Sequence, residues 1–278
     1  MKRVLILGAG GQLGRELVSL FPESYGMYHG KSGDRELDVS DLLTLEKKIL
    51  AASPDLIINA SALANVDRCE KEREYAIRVN GYSVKVMAQC ARKLNIPLVH
   101  ISTDYVFDGE NGNYSEDDVP NPINYYGLSK LVGDIYANSY ENSLVVRTSG
   151  VYGYASNFPK FVYSTLKAKN TVNAISGFYS PIHARNLALA IKELFDRNYR
   201  GIINVAGERI SRYDLAVHIA DFFGLPKDHI KEAGEIKSMI AKRPFDSSLN
   251  IDKAKSILVG DFYSLRSNLV QFSESVTR

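Results

Sequence analysis

Tyr126 and Lys130 lie four residues apart in Tyr126-Gly127-Leu128-Ser129-Lys130, ahead of the helical run Leu131, Ile135 and Tyr136. A spacing of four sets both side chains on one helical face. A tyrosine with an ordinary pKa of about 10 is a poor acid–base group at neutral pH. An ammonium beside it favours the phenolate and lowers that pKa, and a shift of three units is worth roughly 4 kcal/mol. Upstream, Leu98-Val99-His100-Ile101 runs into Ser102-Thr103-Asp104-Tyr105-Val106-Phe107. A hydroxyl at Thr103, at the C-terminal end of a buried parallel strand, stands where such sheets bind ligands and suits a carbonyl oxygen. Tyr-x-x-x-Lys alone is common as a solvated helix face. Its position after Ser-Thr-Asp, and after a glycine-rich first turn, points instead to an acid–base pair.

That first turn is Gly8-Ala9-Gly10-Gly11-Gln12-Leu13-Gly14, directly after Val4-Leu5-Ile6-Leu7. Gly8, Gly11 and Gly14 give a G-x-x-G-x-x-G spacing; Gly10 also permits G-x-G-x-x-x-G. Glycines here allow a tight turn, close backbone approach to a pyrophosphate, and N–H groups at a helix start. A tight strand–helix turn without a ligand is the competing reading. The apolar strand before it and the amphipathic pattern after it favour a dinucleotide. An NAD site usually carries an acid about 20 residues past the glycines. The stretch 25–32 has none, but holds His29, Lys31 and Ser32, with Arg35 close by. A basic, hydroxyl-bearing pocket suits a 2′-phosphate, so NADP(H) is expected, with Lys31 contacting it. The oxidised nicotinamide would add a second cation near Tyr126.

Positioning these residues takes a layered scaffold. Leu13, Leu17, Val18, Leu20 and Phe21 repeat as one face of a helix, and Leu56-Ile57-Ile58 reads as a second buried strand. Ala76, Val79, Val84, Met87, Ala88 and Ala91 fit one long helix ending near Asn95-Ile96-Pro97. Leu98–Ile101 and Leu144-Val145-Val146 supply further strands. Continuous apolar strands alternating with helices predict an α/β, Rossmann-type doubly wound parallel sheet. Past residue 150 the pattern loosens around 152–158 and 176–181, then resumes with Ile202-Ile203-Asn204-Val205 and a helix over 213–223. The expected organisation is a cofactor-binding domain over 1–150 and a smaller C-terminal substrate-binding lobe over 151–278, interleaved with elements that complete the sheet.

The 278 residues hold 34 Lys and Arg against 32 Asp and Glu. With no concentrated basic excess, nucleic acid is not an expected partner. No apolar run reaches the roughly 20 residues of a membrane span, so no membrane partner is expected either. Cys69 and Cys90 form no disulfide framework, and a cytoplasmic setting is expected. The five histidines lack ligand spacing, so no metal site is expected. No Gly-x-Ser-x-Gly elbow supports hydrolysis.

With these motifs in hand, the chain resembles the extended short-chain dehydrogenase/reductase family. The resemblance runs through Gly8–Gly14, Asn59-Ala60, Val66-Asp67, Ser102–Phe107, Tyr126–Lys130 and Arg147-Thr148-Ser149. It continues in Ala206-Gly207, Ser211-x-Tyr213 and Arg243-Pro244-x-x-Ser247-x-Leu249. It implies NADPH-dependent reduction of the 4-keto group of a nucleotide-activated deoxysugar, dTDP-4-dehydro-L-rhamnose above all. By matching position, Gly11, Gln12 and Leu13 would hold the pyrophosphate, Asp38 and Val39 flank the adenine, and Ala60 and Ser61 meet the cofactor's middle. Tyr126 and Lys130 would also touch the nicotinamide ribose, and Thr103 and Asp104 would face the sugar. Homodimers are common in the family. The same resemblance extends to a non-catalytic alternative, the NADP-binding regulatory β-subunit of methionine adenosyltransferase, and to nucleotide-sugar epimerases. Three departures fall on the sugar side: Gly150 where the family commonly has tryptophan, 176–182 in place of Asp-Gln-x-Gly-x-Pro-Thr, and Leu63-Ala64 before the Val-Asp pair.

Overall fold

The computed structural model describes residues 3–30, 33, 35–155, 157–234 and 239–277. The first half runs β1 (Val4–Leu7), α1 (Gln12–Leu20), β2 (Ser24–Met27), α2 (Leu42–Ala52), β3 (Leu56–Asn59), α3 (Val66–Lys71), α4 (Arg73–Ile77), α5 (Ser83–Leu94), β4 (Leu98–Ile101), α6 (Tyr125–Asn138) and β5 (Ser143–Arg147). The second half runs β6 (Ser149–Tyr152), α7 (Phe158–Lys167), β7 (Val172–Ile175), β8 (Phe178–Tyr179), β9 (Pro181–His183), α8 (Ala184–Asp196), β10 (Gly201–Asn204), β11 (Ile210–Ser211), α9 (Arg212–Phe223), β12 (Ile230–Ala233), α10 (Asp252–Ile257) and α11 (Leu265–Thr277).

Six strands form one sheet in the order β10-β5-β4-β3-β1-β2, every pair parallel. Alternate residues face opposite sides, and both sides are covered, which is why the strands read as unbroken apolar runs. Val4 and Ile6 join α1 and α8 in one core, whereas Leu5 and Leu7 join α2, α5 and Ala137 in the other. Each Leu or Ile taken fully out of water there contributes about 1.5–3 kcal/mol. The chain passes from β1 to β2 on one side and then crosses to β3 on the other. The C-terminal ends of β1 and β3 therefore flank the switch point at which open sheets bind ligands. Leu7 is in register with Asn59, and Asn59 with His100, so Gly8, Ala60 and Ser102 all leave the sheet nearby.

β10 pairs with β5, so the later half of the chain contributes to the main sheet. A separate cluster gathers Val162 and Leu166 of α7, Val172, Leu215 and Ile219 of α9, Ile230, and Leu269 of α11. The single long helix expected over 76–91 is instead α4 and α5 joined by a π-helical turn, Arg78–Tyr82. Asn80 explains the irregularity. Its side chain accepts from the Leu63 N–H at 2.8 Å and donates to the Leu63 carbonyl and to Ser129 Oγ. The widened turn frees a helical residue to serve the neighbouring loop.

Candidate active site

At Gly8 (φ +79°) a Cβ would stand 2.7 Å from the backbone of Ala60 and Ser61, and at Gly14 it would be 2.2 Å from the Gly8 carbonyl oxygen. Both positions require glycine. The Gly11 N–H closes the turn on the Gly8 carbonyl at 3.0 Å, and Gly11 caps α1 without a side chain. The first N–H groups of α1 consequently present an uncapped, partly positive helix end, which fits a pyrophosphate. The turn is also fastened to the second half of the chain. Gln12 donates to the Val151 carbonyl and accepts from Asn157, and the Tyr154 hydroxyl donates to the Gly10 carbonyl.

Two hollows flank this turn and share Ser61 and Ala62. The smaller, of about 260 Å³, is lined by Gly8, Met27, Asp38, Val39, Arg68 and others. The larger, of about 430 Å³, takes in Gln12, Leu13, Ala60, Thr103, Asp104, Tyr126 and Lys130. The sequence-predicted residues are thus gathered into two adjoining spaces, with Gly11 and Gly14 shaping the turn. Lys31 lies outside the described residues; Arg35 is described, with its guanidinium over the Tyr25 ring at 5.0 Å.

Asn124 accepts from the Gly127 N–H at 2.8 Å and so starts α6 with Tyr126 in its first turn. Lys130, one turn on, is 2% exposed and donates to the Ile101 carbonyl at 2.6 Å. Burial lowers its pKa to about 8, with Asp134 pulling the other way. Burial pushes the Tyr126 phenol well above its ordinary pKa, and the neighbouring Thr103 hydroxyl opposes the rise. The sequence-based expectation was a phenol lowered by lysine and an oxidised nicotinamide; in the free protein, desolvation decides the direction. A raised pKa keeps the proton on the phenol, as a proton donor needs.

Asp104 lines the cleft, and its carboxylate is held by hydroxyls. It accepts from Ser149 at 2.7 Å, Ser247 at 2.6 Å and Thr103 at 3.0 Å. Burial raises its pKa, and these hydroxyls oppose the rise. Asp104 thereby ties Thr103 to β6 and to the segment 243–249.

A family model described as the RmlD substrate binding domain matches residues 1–278. The chain belongs to this family. A dTDP-4-dehydrorhamnose reductase of Aggregatibacter actinomycetemcomitans is 32% identical, over 99% of this chain and 100% of that one. The crystal structure of a hypothetical dTDP-4-dehydrorhamnose reductase from Sulfolobus tokodaii is 49% identical, with a TM-score of 0.90 over 95% of this chain and 97% of that one. That of the Bacillus anthracis dTDP-4-dehydrorhamnose reductase, in complex with NADP, is 27% identical, with a TM-score of 0.88 over 98% and 99%. Mouse methionine adenosyltransferase 2 subunit beta is 29% identical over 96% of this chain and 86% of that one.

Within this member of the RmlD family, the structure adds residues that local sequence patterns did not single out for a role. Asn80 braces the Leu63 loop against Ser129. Below Lys130, fully buried His100 lies 3.6 Å from Asp134, which sits 3.3 Å from Arg147. His100 also meets Asn59, whose side-chain Oδ1 accepts from both the N–H and the hydroxyl of Ser61. Burial lowers the His100 pKa to about 4, leaving the ring neutral at pH 7. The signal for this chain was a histidine inside an apolar strand and an acid on the covered face of a helix. Among the described residues no group of three or more His, Cys, Asp or Glu side chains is gathered to hold a metal, and no helix is long and apolar enough to cross a membrane.

Proposed function

We propose that this protein reduces the 4-keto group of dTDP-4-dehydro-L-rhamnose to give dTDP-L-rhamnose, using NADPH. The observation that carries the reading is the meeting of Tyr126, Lys130 and Thr103 in a cleft that adjoins the Gly8–Gly14 turn. The family membership and the NADP complex of the Bacillus anthracis relative support the cofactor. NADPH, when bound, supplies the hydride. Gly11, Gln12 and Leu13 hold its pyrophosphate at the start of α1, Asp38 and Val39 flank its adenine, Ala60 and Ser61 meet its middle, and Lys31 accompanies the 2′-phosphate. Thr103 orients the carbonyl, Tyr126 delivers the proton to the carbonyl oxygen, and Lys130 fixes the ribose and reloads the phenol. Asp104 keeps Thr103 in place. We assign the cofactor to 1–150 and most sugar contacts to 151–278, and we place the enzyme in the cytoplasm, where the free thiols Cys69 and Cys90 would stay reduced.

The test is to mix the protein with NADPH and freshly prepared dTDP-4-dehydro-6-deoxy-L-mannose and follow cofactor absorbance. Substrate-dependent oxidation is expected. Tight NADPH binding without turnover would instead favour an NADP-binding regulatory subunit, the reading supported by the likeness to the mouse protein. The glycine turn gives a second check. A methyl at Gly14 must displace the Gly8 carbonyl, so Gly14→Ala is expected to weaken NADPH binding by more than tenfold in a fluorescence titration. Unchanged affinity would remove the turn from the cofactor site.

A further inference from the structure

A 430 Å³ cleft takes a hexose ring beside the nicotinamide end of a cofactor, so the remainder of a nucleotide-sugar must reach the smaller lobe. The two negative charges of its diphosphate then need a cation there. Three arginines stand on that side. Arg209 is paired with Asp246 at 2.7 Å and lies over Phe178. Arg243 is paired with Asp67 at 3.1 Å and donates to the Ala241 carbonyl. Arg212 has, among the described residues, neither a carboxylate nor a carbonyl partner. Its guanidinium rests 4.7 Å above the Tyr179 ring.

The packing around Arg212 leads back to the cleft. Gly150 lines the cleft with φ +47°, and a Cβ there would strike the Tyr179 ring at 2.7 Å. Gly177, at φ +122°, lets the 176–178 segment pass between the Phe245 carbonyl and Arg212 Nη1, at would-be Cβ distances of 2.6 and 3.4 Å. Burial raises the pKa of the phenols of Tyr179 and of Tyr105, a cleft residue that packs edge-on against Tyr126, and the nearby Arg212 charge opposes the rise. Two of the sequence departures, Gly150 and the 176–182 segment, therefore meet at the ring that carries this arginine. Arg212 is also the first residue of α9, where a cation adds to the positive end of the helix dipole and gains nothing from it. A guanidinium so placed is suited to an anion, because its planar fork matches phosphate oxygens two at a time.

We propose that Arg212, held on the face of Tyr179, receives the diphosphate of the substrate and sets the affinity for nucleotide-activated sugars. This rests on the nucleotide-sugar reading above. Asp67, Asp104 and Asp246 lie in the same region, and their partners Arg243, the Ser149 and Ser247 hydroxyls, and Arg209 leave Arg212, of these three arginines, without a carboxylate among the described residues.

Calorimetric titration of the NADPH-bound protein with dTDP and with thymidine tests it. Arg212→Gln is expected to weaken dTDP about 10–100-fold, the loss of a charge-assisted pair of hydrogen bonds, while Arg212→Lys keeps part of the affinity. Thymidine and NADPH should bind both variants as they bind the wild type, which also shows that the variants fold. With the dTDP-sugar, KM should rise by the same factor and kcat stay within about threefold. If Arg212→Gln binds dTDP like the wild type, the assignment of Arg212 falls and the reductase reading stands. If the wild type binds none of dTDP, UDP and GDP, the nucleotide-sugar reading fails and takes this one with it.

Discussion

Replacing Tyr126 by phenylalanine is expected to cut ketone reduction by about 10²–10⁴-fold while NADPH affinity stays within a few-fold of wild type. The phenol lies in the cleft with Thr103 and one helical turn from Lys130. Its loss removes proton delivery in the transition state, about 3–5 kcal/mol of barrier, and costs the cofactor no more than one hydroxyl contact at the nicotinamide ribose. The ring itself stays: phenylalanine keeps the edge-on contact with Tyr105, 5.8 Å between centroids at 74°. Stability should therefore change little, and thermal unfolding of the variant separates loss of chemistry from loss of fold. Because burial holds the phenol above its ordinary pKa, the donor stays loaded throughout neutral pH. Single-turnover rates of the wild type with NADPH bound should accordingly show no downturn from this group below about pH 9. Turnover of Tyr126→Phe within a few-fold of wild type would sink the assignment.

The chemistry was legible where it is local. Gly8–Gly14 and Tyr126–Lys130 are short strings whose geometry follows from one turn and one helix, and the four-residue apolar runs identify their strands without knowledge of pairing. What stayed hidden depends on pairs far apart in the chain. The Ser247 hydroxyl reaches Asp104 across 143 residues, and this bond, which also braces Thr103 through Asp104, could not be read locally. Asn80, in the π turn, bonds partners at positions 63 and 129, and an even apolar spacing predicted one uninterrupted helix where the chain forms two joined by that turn. In the free protein the Tyr126 phenol is raised by burial, before any nicotinamide cation is beside it. The spacing to Lys130 can be read from sequence, but the depth of burial around the phenol cannot. Arg212 is the extreme case, since the role proposed for it rests on its lacking, among the described residues, the carboxylate partners that Arg209 and Arg243 have.

Lys130→Met is expected to make the protein more stable at pH 7 and nearly inactive. The wild-type ammonium is almost wholly buried, and burial lowers its pKa from 10.5 to about 8. A folded-state pKa below the unfolded one means that the unfolded chain binds more protons between pH 8 and 10.5. Wild-type stability therefore rises with pH across that window. Below pH 8 both states carry the proton, and the fold bears a penalty of about 3 kcal/mol for the desolvated charge. Methionine removes that charge and keeps the apolar stem. Asp134 still has Arg147 at 3.3 Å, so no buried carboxylate is orphaned, although the lost attraction to Lys130 and the lost bond to the Ile101 carbonyl trim the gain to about 1–3 kcal/mol. Denaturant titrations at pH 7 and pH 10 measure this: the variant should lead at pH 7, and its lead should shrink at pH 10. A variant less stable at both values would show that Lys130 is a structural cation. The expected pattern, stability gained as turnover falls at least 10²-fold, would mean that the fold tolerates a buried ammonium because reloading the Tyr126 phenol requires one.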